Sequence, residues 1–114
     1  MYKVEAIIRE EKLQEVKAAL QAIEVNGITV SQVMGCGAQG GYKETVRGTE
    51  IDINLIPKIK FDIAVSSEEW KDKTIEAISR AANTGEIGDG KIFSYKLEDV
   101  MRIRTRETGV AALN

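Results

Sequence analysis

Residues 59–70 have the sequence Ile-Lys-Phe-Asp-Ile-Ala-Val-Ser-Ser-Glu-Glu-Trp, and this stretch decides the fold. Apolar and polar side chains alternate from Ile59 to Val65, which predicts a β-strand entered by Pro57, the only proline of the chain. Ser66 and Ser67 follow and precede two glutamates, a pattern typical of a helix N-terminus. The stretch therefore predicts a strand that leads directly into an amphipathic helix.

That helix ends at a glycine-rich segment, Thr84–Phe93. Its three glycines are Gly85, Gly88 and Gly90. Glycines let the backbone turn sharply and direct its N–H groups inward, and Lys91 adds a flexible cation that suits a phosphate oxygen. Such a loop can bind a polyphosphate, although it lacks the Gly-Lys-Ser/Thr ending of the Walker motif. The alternative is a plain glycine-rich turn before the predicted strand Lys91–Leu97.

The N-terminal half repeats the order strand, helix, strand. The pattern predicts a strand over Tyr2–Arg9, a helix over Glu10–Glu24 that ends at Asn26-Gly27, and a strand over Ile28–Met34. Two such units are typical of the α+β, ferredoxin-like split β-α-β fold (βαββαβ), with an antiparallel sheet and both helices on one face. The second and third of these strands have apolar residues on both faces, so we expect the other face to pack against further copies in an oligomer.

A long insertion separates the two units, from Gly37 to Ile56. Its first part is rich in glycine and its middle is charged, and connections of this length inside a small domain are usually functional or disordered. The insertion therefore predicts a protruding arm between the second and third strands of the sheet. An extended β-hairpin with an open tip is the alternative, and such a hairpin could itself serve as the arm.

The composition is that of a single soluble globular domain of 114 residues, 43% apolar and 30% charged. The formal net charge of −2 argues against direct binding to nucleic acid. There is no histidine, which is the commonest general base and metal ligand, and only one cysteine, Cys36. No apolar run approaches the length of a membrane span, and no signal peptide opens the chain. We therefore expect a cytoplasmic protein that is not embedded in a membrane.

Six motifs occur in order along the chain: Glu5-Ala6-Ile7-Ile8-Arg9, Gly35-x-Gly37-x-Gln39, Arg47-Gly48-x-Glu50, Leu55-Ile56-Pro57-Lys58, Thr84-Gly85-x-Ile87-Gly88-Asp89-Gly90-Lys91-Ile92-Phe93 and Arg102-Ile103-Arg104-Thr105. Together they closely resemble the PII signal-transduction proteins of nitrogen metabolism, over essentially the whole chain. The resemblance implies one domain over residues 1–114 and a homotrimer. It also implies a T-loop at about 37–56, a B-loop at about 84–91 and a C-loop at about 102–114.

The resemblance further implies that ATP or ADP binds in clefts between neighbouring subunits. Ile7, Thr29 and Ala64 would surround the adenine, and Lys58 and Lys91 would approach the phosphates. Arg102 and Arg104 would reach the phosphates from the adjacent subunit. The full implied set is Ile7, Thr29, Gly35, Cys36, Gly37, Ala38, Gln39, Lys58, Ala64, Gly88, Asp89, Gly90, Lys91, Arg102 and Arg104. Cys36 and Ala38 depart from the residues common in the family.

A second ligand implied by the resemblance is 2-oxoglutarate, which would chelate a Mg²⁺ ion held by the ATP phosphates and Gln39. Gln39, Gly40, Gly41, Lys58 and Gly88 would bind it. The residues are compatible with this, since an amide oxygen is a reasonable magnesium ligand and a lysine neutralises a carboxylate.

Two arginines near the C-terminus suggest an anion site independently of the family. Arg102 and Arg104 are two residues apart, so on an extended chain both side chains would point the same way. With Lys58 and Lys91 they would supply four cations for the charge of ATP. The alternative is an exposed cationic edge strand that deters aggregation.

The resemblance also implies a target protein, bound through the T-loop. Arg47 matches the residue that PII proteins insert into an ammonium transporter, so the expected partner is that transporter or another nitrogen-metabolism protein, with recruitment to the membrane. Ile51 stands where many members have a modifiable tyrosine, so no modification is expected there. We expect a regulator rather than an enzyme, because no catalytic constellation is visible. The alternatives are a phosphoryl-transfer enzyme and a PII-like trimer that binds metals or another nucleotide.

Overall fold

The computed structural model describes residues 1–36, 42–46, 49–53 and 55–113, with side chains described outside 42–53. The elements in chain order are β1 (Tyr2–Arg9), α1 (Leu13–Ala22), β2 (Ile28–Cys36), β3 (Tyr42–Val46), β4 (Thr49–Ile53), β5 (Leu55–Val65), α2 (Glu68–Ala82) and β6 (Lys91–Lys96). Short 3-10 helices cover Glu10–Lys12 and Gly109–Leu113.

The main sheet has the strand order β2-β5-β1-β6, and each neighbouring pair is antiparallel. Side chains from β1, β5, α1 and α2 form one buried cluster, so both helices cover the same face of the sheet. Phe61, Leu20 and Ile78 are fully buried in it. This arrangement confirms the predicted α+β, ferredoxin-like fold. Among the described residues, no helix is long and apolar enough to cross a membrane.

The start of α2 agrees with the prediction from the two serines. Ser67 has an extended backbone, and its Oγ accepts a hydrogen bond of 3.2 Å from the N–H of Trp70. Glu68 and Glu69 lie in the first turn, where negative charge interacts favourably with the helix dipole. Ser67, rather than Ser66, is therefore the capping residue.

The end of α1 differs from the prediction at Asn26-Gly27. The helix ends at Ala22, and Glu24 takes the left-handed conformation with φ of 61°. The N–H of Glu24 donates to the Gln21 carbonyl and the N–H of Val25 to the Leu20 carbonyl, each at 3.0 Å. These two bonds form a Schellman motif. Val25 and Leu20 are both buried, so core packing turns the chain before the glycine.

The third strand of the sheet starts earlier than predicted, and Pro57 lies inside it. β5 begins at Leu55, and Pro57 is paired with Met34 of β2. On its other side β5 meets β1 only from Lys58 onward, where Arg9 is the last partner. Among the described residues, Pro57 therefore has no neighbouring strand on the β1 side of β5, and a proline is tolerated there.

The described part of the arm is a two-stranded hairpin. β3 and β4 pair in antiparallel fashion from Tyr42 opposite Ile53 to Val46 opposite Thr49. This agrees with the hairpin alternative for the insertion, which is compatible with an arm. Several predicted arm residues lie outside the described residues, namely Gly37, Ala38, Gln39, Gly40, Gly41 and Arg47.

On the sheet face opposite the helices, the third strand is charged, so the expectation of apolar residues on both of its faces is wrong, whereas β6 presents the half-exposed rings of Phe93 and Tyr95 there. Lys60 lies 4.0 Å from Glu5 and 3.9 Å from Asp62, and Lys3 lies 3.7 Å from Asp62. The Tyr95 hydroxyl donates a hydrogen bond of 2.8 Å to Glu5. The alternation along residues 59–65 that predicted the strand puts Lys60 and Asp62 together on this face.

Candidate functional site

The carboxylate of Asp89 organises the glycine-rich loop from within. It accepts hydrogen bonds from the backbone N–H of Thr84 at 2.8 Å and of Gly85 at 2.9 Å, and from the Thr84 hydroxyl. The bond from the Thr84 hydroxyl is the main reason that the pKa of Asp89 lies far below its usual range, and the backbone bond from Thr84 adds to it. Asp89 thus closes residues 84–89 into a compact turn.

Two cations hold this loop against the sheet. Arg9, at the end of β1, donates from Nε to Asp89 Oδ1 at 3.1 Å and from Nη2 to the Ile87 carbonyl at 2.7 Å. Lys58 of β5 donates from Nζ to the Gly88 carbonyl at 2.7 Å. Lys58 is only 5% exposed, and burial lowers its pKa, with repulsion from Arg9 as a second cause. The loop is therefore bound at three consecutive residues.

The glycines of the loop are required by its backbone. Gly88 and Gly90 have φ of 107° and 99°, values that side chains rarely allow. A Cβ atom on Gly90 would lie 1.7 Å from the Ile7 carbonyl oxygen. Only glycine lets the loop come this close to β1.

The predicted residues that the structure brings together lie at one end of the sheet. Ile7 pairs with Lys60 on one side and with Lys91 on the other, and Arg9 pairs with Lys58. Strand alternation therefore sets Ile7, Lys58 and Lys91 on the face opposite the helices. Gly35 lies close to the Lys58 side chain, since a Cβ atom at Gly35 would be 3.3 Å from Lys58 Cγ. The assembled set is Ile7, Gly35, Lys58, Gly88, Asp89, Gly90 and Lys91.

Thr29 and Ala64 lie at the opposite end of the same sheet. Ala64 pairs with Lys3, and Thr29 pairs with Asp62. Ala64 is six positions beyond Lys58 along β5, a distance of about 20 Å at 3.4 Å per residue. One chain therefore does not bring Thr29 and Ala64 to the loop. Cys36 is exposed and lies opposite Leu55, at the end of β2 that is farthest from Thr29.

The segment with Arg102 and Arg104 is a turn, so the extended chain on which both interpretations of the pair rested is wrong. The Arg106 N–H donates to the Arg102 carbonyl at 2.7 Å, and Arg106 has φ of 61°. The Arg102 guanidinium donates to Glu107 at 2.8 Å and to the Ala111 carbonyl at 3.2 Å. Arg104 is exposed at the turn. The two side chains therefore need not point the same way.

Residues 37–41 and Arg47 lie outside the described part of the chain, and so does the side chain of Ile51. The predictions for Gly37, Ala38, Gln39, Gly40 and Gly41 stay predictions. Among the described residues, no group of three or more His, Cys, Asp or Glu side chains could hold a metal ion.

Sequence reasoning missed Arg9 and Thr84 as parts of the site. Arg9 ends the first of the six motifs, but its contact with Asp89 spans 80 positions of the chain. Thr84 opens the glycine-rich segment, and a threonine followed by an aspartate within a tight loop is a signal for side-chain to backbone hydrogen bonds. That signal was available in the sequence.

The fold and the loop define a small α+β protein of ferredoxin-like topology, with a glycine-rich loop held by two cations. The family model described as Nitrogen regulatory protein P-II matches residues 1–107. The chain belongs to this family of nitrogen regulatory proteins, which confirms the resemblance to PII.

Relatives align along nearly the whole chain. The nitrogen regulatory protein P-II of Rhizobium etli is 51% identical over 110 residues, which cover 96% of this chain and 97% of the relative. The nitrogen regulatory protein P-II 1 of Methanothermobacter thermautotrophicus is 49% identical over 113 residues, 99% of this chain and 97% of the relative. The nitrogen regulatory protein GlnK of Escherichia coli K12 is 46% identical over 110 residues, 96% and 97% respectively.

Proposed function

We propose that this PII-family protein is a cytoplasmic, non-enzymatic signal transducer that binds ATP or ADP at the loop of residues 84–91. The observation that carries the proposal is the loop itself, with Gly88 and Gly90 at positive φ beside Lys58 and Lys91 on one sheet face. Glycine-rich loops with backbone donors and nearby cations are a recurrent solution for binding phosphates.

The charge at the site supports a polyanion as the ligand. Lys58 donates to a neutral carbonyl, and within the described part of the chain Lys91 and Arg104 form no ion pair. A phosphate oxygen bound by such a cation contributes about 1.5–3 kcal/mol. Lys58 and Lys91 from one chain and Arg102 and Arg104 from its neighbour would match the charge of ATP.

A homotrimer with nucleotide clefts between subunits fits the position of Thr29 and Ala64. Ala64 lies about 20 Å along the sheet from Lys58, and Thr29, opposite Asp62, lies about 14 Å from it, as expected for residues that serve the adenine of another subunit's site. Ile7 lies next to the loop and would contact the nucleotide of its own chain. The sheet face opposite the helices, with its ion pairs and the rings of Phe93 and Tyr95, would then contribute contacts between copies.

The second effector in the proposal is 2-oxoglutarate, which would bind after MgATP. Gln39 would complete the Mg²⁺ coordination and Lys58 would pair with a carboxylate of the effector. Gly40, Gly41 and Gly88 would offer backbone donors. Since Gln39 lies at the root of the arm in the sequence, the ligand could change which arm conformation is populated.

The target in the proposal is an ammonium transporter or another nitrogen-metabolism protein, bound through the arm and Arg47. Ile51 has no hydroxyl for modification, so ligands alone would control the complex. ADP would favour it, and MgATP with 2-oxoglutarate would release it. A pull-down from membranes with the cognate transporter, with Arg47→Ala alongside, tests this step. Retention that ignores both the effectors and the substitution would overturn it.

Isothermal titration calorimetry tests the nucleotide site with a matched pair of variants on β6. Lys91→Ala should bind ATP about ten- to a hundredfold more weakly, because it removes one charge-assisted contact. Lys96→Ala, at the other end of the strand, should bind as the wild type does. Equal affinity in all three proteins would contradict the proposed site.

The same titrations separate the remaining alternatives. Binding of 2-oxoglutarate should require ATP and Mg²⁺ together and should fall in Gln39→Ala, and equal binding with ADP would contradict the mechanism. Sedimentation equilibrium should give the mass of a trimer. Steady phosphate release from ATP would favour an enzyme, and a thermal shift with divalent metals alone would favour a metal-binding PII-like trimer.

A further inference from the structure

Arg9 reaches the glycine-rich loop with two separate donors. Its Nε donates to Asp89 Oδ1 at 3.1 Å and its Nη2 donates to the Ile87 carbonyl at 2.7 Å. The side chain is only 20% exposed, and its Nη1 lies 3.9 Å from Glu11 Oε1. The guanidinium, at the end of β1, is thus fixed by two hydrogen bonds to the loop and by an ion pair with Glu11.

The contact with the Ile87 carbonyl determines the direction of the next N–H group. A peptide unit is planar and trans, so its C=O and N–H bonds point in opposite directions. Because the Ile87 carbonyl is turned toward Arg9, the N–H of Gly88 is directed away from Arg9. Gly88 has φ of 107°, and Lys58 binds its carbonyl, which belongs to the following peptide unit, so the two peptide units that flank Gly88 are both held.

We propose that Arg9 is a positioning residue for nucleoside polyphosphate binding. By holding the Ile87 carbonyl and the Asp89 carboxylate, it keeps the Gly88 N–H aimed at the phosphates without touching them. This inference rests on the proposed function, since it assigns a role to Arg9 within that same site. It attributes the role to the forked geometry of the guanidinium rather than to its positive charge.

The forked geometry makes lysine an informative replacement. Arginine presents several N–H donors in a rigid plane, whereas lysine has a single ammonium group on a flexible chain. Arg9→Lys keeps the charge but cannot serve Asp89 and Ile87 in the observed geometry. Arg9→Lys and Arg9→Gln should therefore both bind ATP about ten- to a hundredfold more weakly than the wild type.

The test measures ATP affinity by calorimetry for the wild type, Arg9→Lys, Arg9→Gln and the control Lys17→Gln. Lys17 is exposed on α1, so the control removes one positive charge away from the loop. Thermal unfolding establishes that the variants are folded at the titration temperature. In parallel, ¹⁵N relaxation and amide exchange of Gly88 are recorded without nucleotide.

The expected result is weaker ATP binding in both Arg9 variants, unchanged binding in Lys17→Gln, and a more mobile Gly88 amide in both Arg9 variants. Wild-type affinity in Arg9→Lys with a loss only in Arg9→Gln would overturn the inference, since charge alone would then suffice. An unchanged Gly88 amide would overturn it as well. If the wild type itself binds no ATP, the proposed function fails, and the Gly88 measurement still decides whether Arg9 orders the loop.

Discussion

Replacing Gly90 by alanine tests the close approach of the loop to β1. The added Cβ would lie 1.7 Å from the Ile7 carbonyl oxygen and 2.8 Å from the Ile7 carbonyl carbon. Real Cβ contacts are essentially never shorter than 3.0 Å, so the loop must move from the strand by at least 1.3 Å. The atoms in the way belong to the backbone, and no rotation of a side chain can relieve the clash.

The magnitude follows from two contributions. A non-glycine residue at φ of 99° costs about 1–2 kcal/mol in backbone strain. Displacing the loop by the required distance disturbs the start of the pairing between β1 and β6, where Ile7 faces Lys91, and each lost hydrogen bond costs about 1 kcal/mol. Gly90→Ala should therefore lower the free energy of unfolding by about 2–4 kcal/mol.

Gly85→Ala is the matched control for the strain alone. Gly85 lies in the same loop with φ of 84°, but a Cβ there would have no neighbour within 4 Å. Urea unfolding of both variants, followed by the fluorescence of the single tryptophan at equal protein concentration, measures the difference. A Gly90→Ala protein as stable as Gly85→Ala would refute the close packing of the loop on β1. ATP affinity should fall more in Gly90→Ala than in Gly85→Ala.

Three further changes test individual contacts. The pKa of the Asp89 carboxyl is lower in the folded protein than in the unfolded chain. Its stabilising effect is therefore present above about pH 4 and is lost as the pH falls further. The stability difference between wild type and Asp89→Asn, from urea unfolding, should therefore be constant from pH 6 to 8 and shrink at pH 3.5; a difference that grows with acid would contradict this. Ser67→Ala should cost about 1 kcal/mol through the lost N-cap of α2, and Ser66→Ala should cost much less. Glu24→Gly should raise stability by up to about 1 kcal/mol, because glycine adopts φ of 61° without strain; a destabilised variant would argue against the Schellman motif.

The elements of the fold could be predicted wherever one short pattern determines them. The alternation along residues 59–65 and the serines before Glu68 gave β5 and the start of α2 from neighbouring residues alone. The end of α1 could not be obtained this way. Asn26-Gly27 has the better local propensity for a helix end, but burial of Val25 favours a left-handed Glu24. Tertiary packing outweighed local preference there.

The candidate site was predictable in its residue types and less so in its geometry. The glycines and Lys91 are contiguous in the sequence, so their association required no knowledge of the fold. The contact between Arg9 and the loop exists only because β1 and β6 are neighbours in the sheet. The arginines at 102 and 104 were assigned a common direction on the premise of an extended chain, and a turn removes that premise.

The way in which Lys58 is bound gives the site its chemical character. Lys58 is 5% exposed, and its ammonium group donates to the Gly88 carbonyl, a neutral acceptor. A carbonyl satisfies a hydrogen bond but does not neutralise a charge, and a buried cation without a counter-ion is unfavourable. The lowered pKa of Lys58 reflects this desolvation and the repulsion from Arg9, which the carboxylates of Glu11 and Asp89 offset only in part. An anion that reaches Lys58 would supply a further counter-charge. The unfavourable burial of the lysine cation would then be relieved when the anion binds, and this relief would favour ligand binding. Because Lys58 also holds the Gly88 carbonyl, the same anion would compete with the loop for the ammonium group. In the proposed function, ligand binding and loop position would therefore be coupled through one side chain.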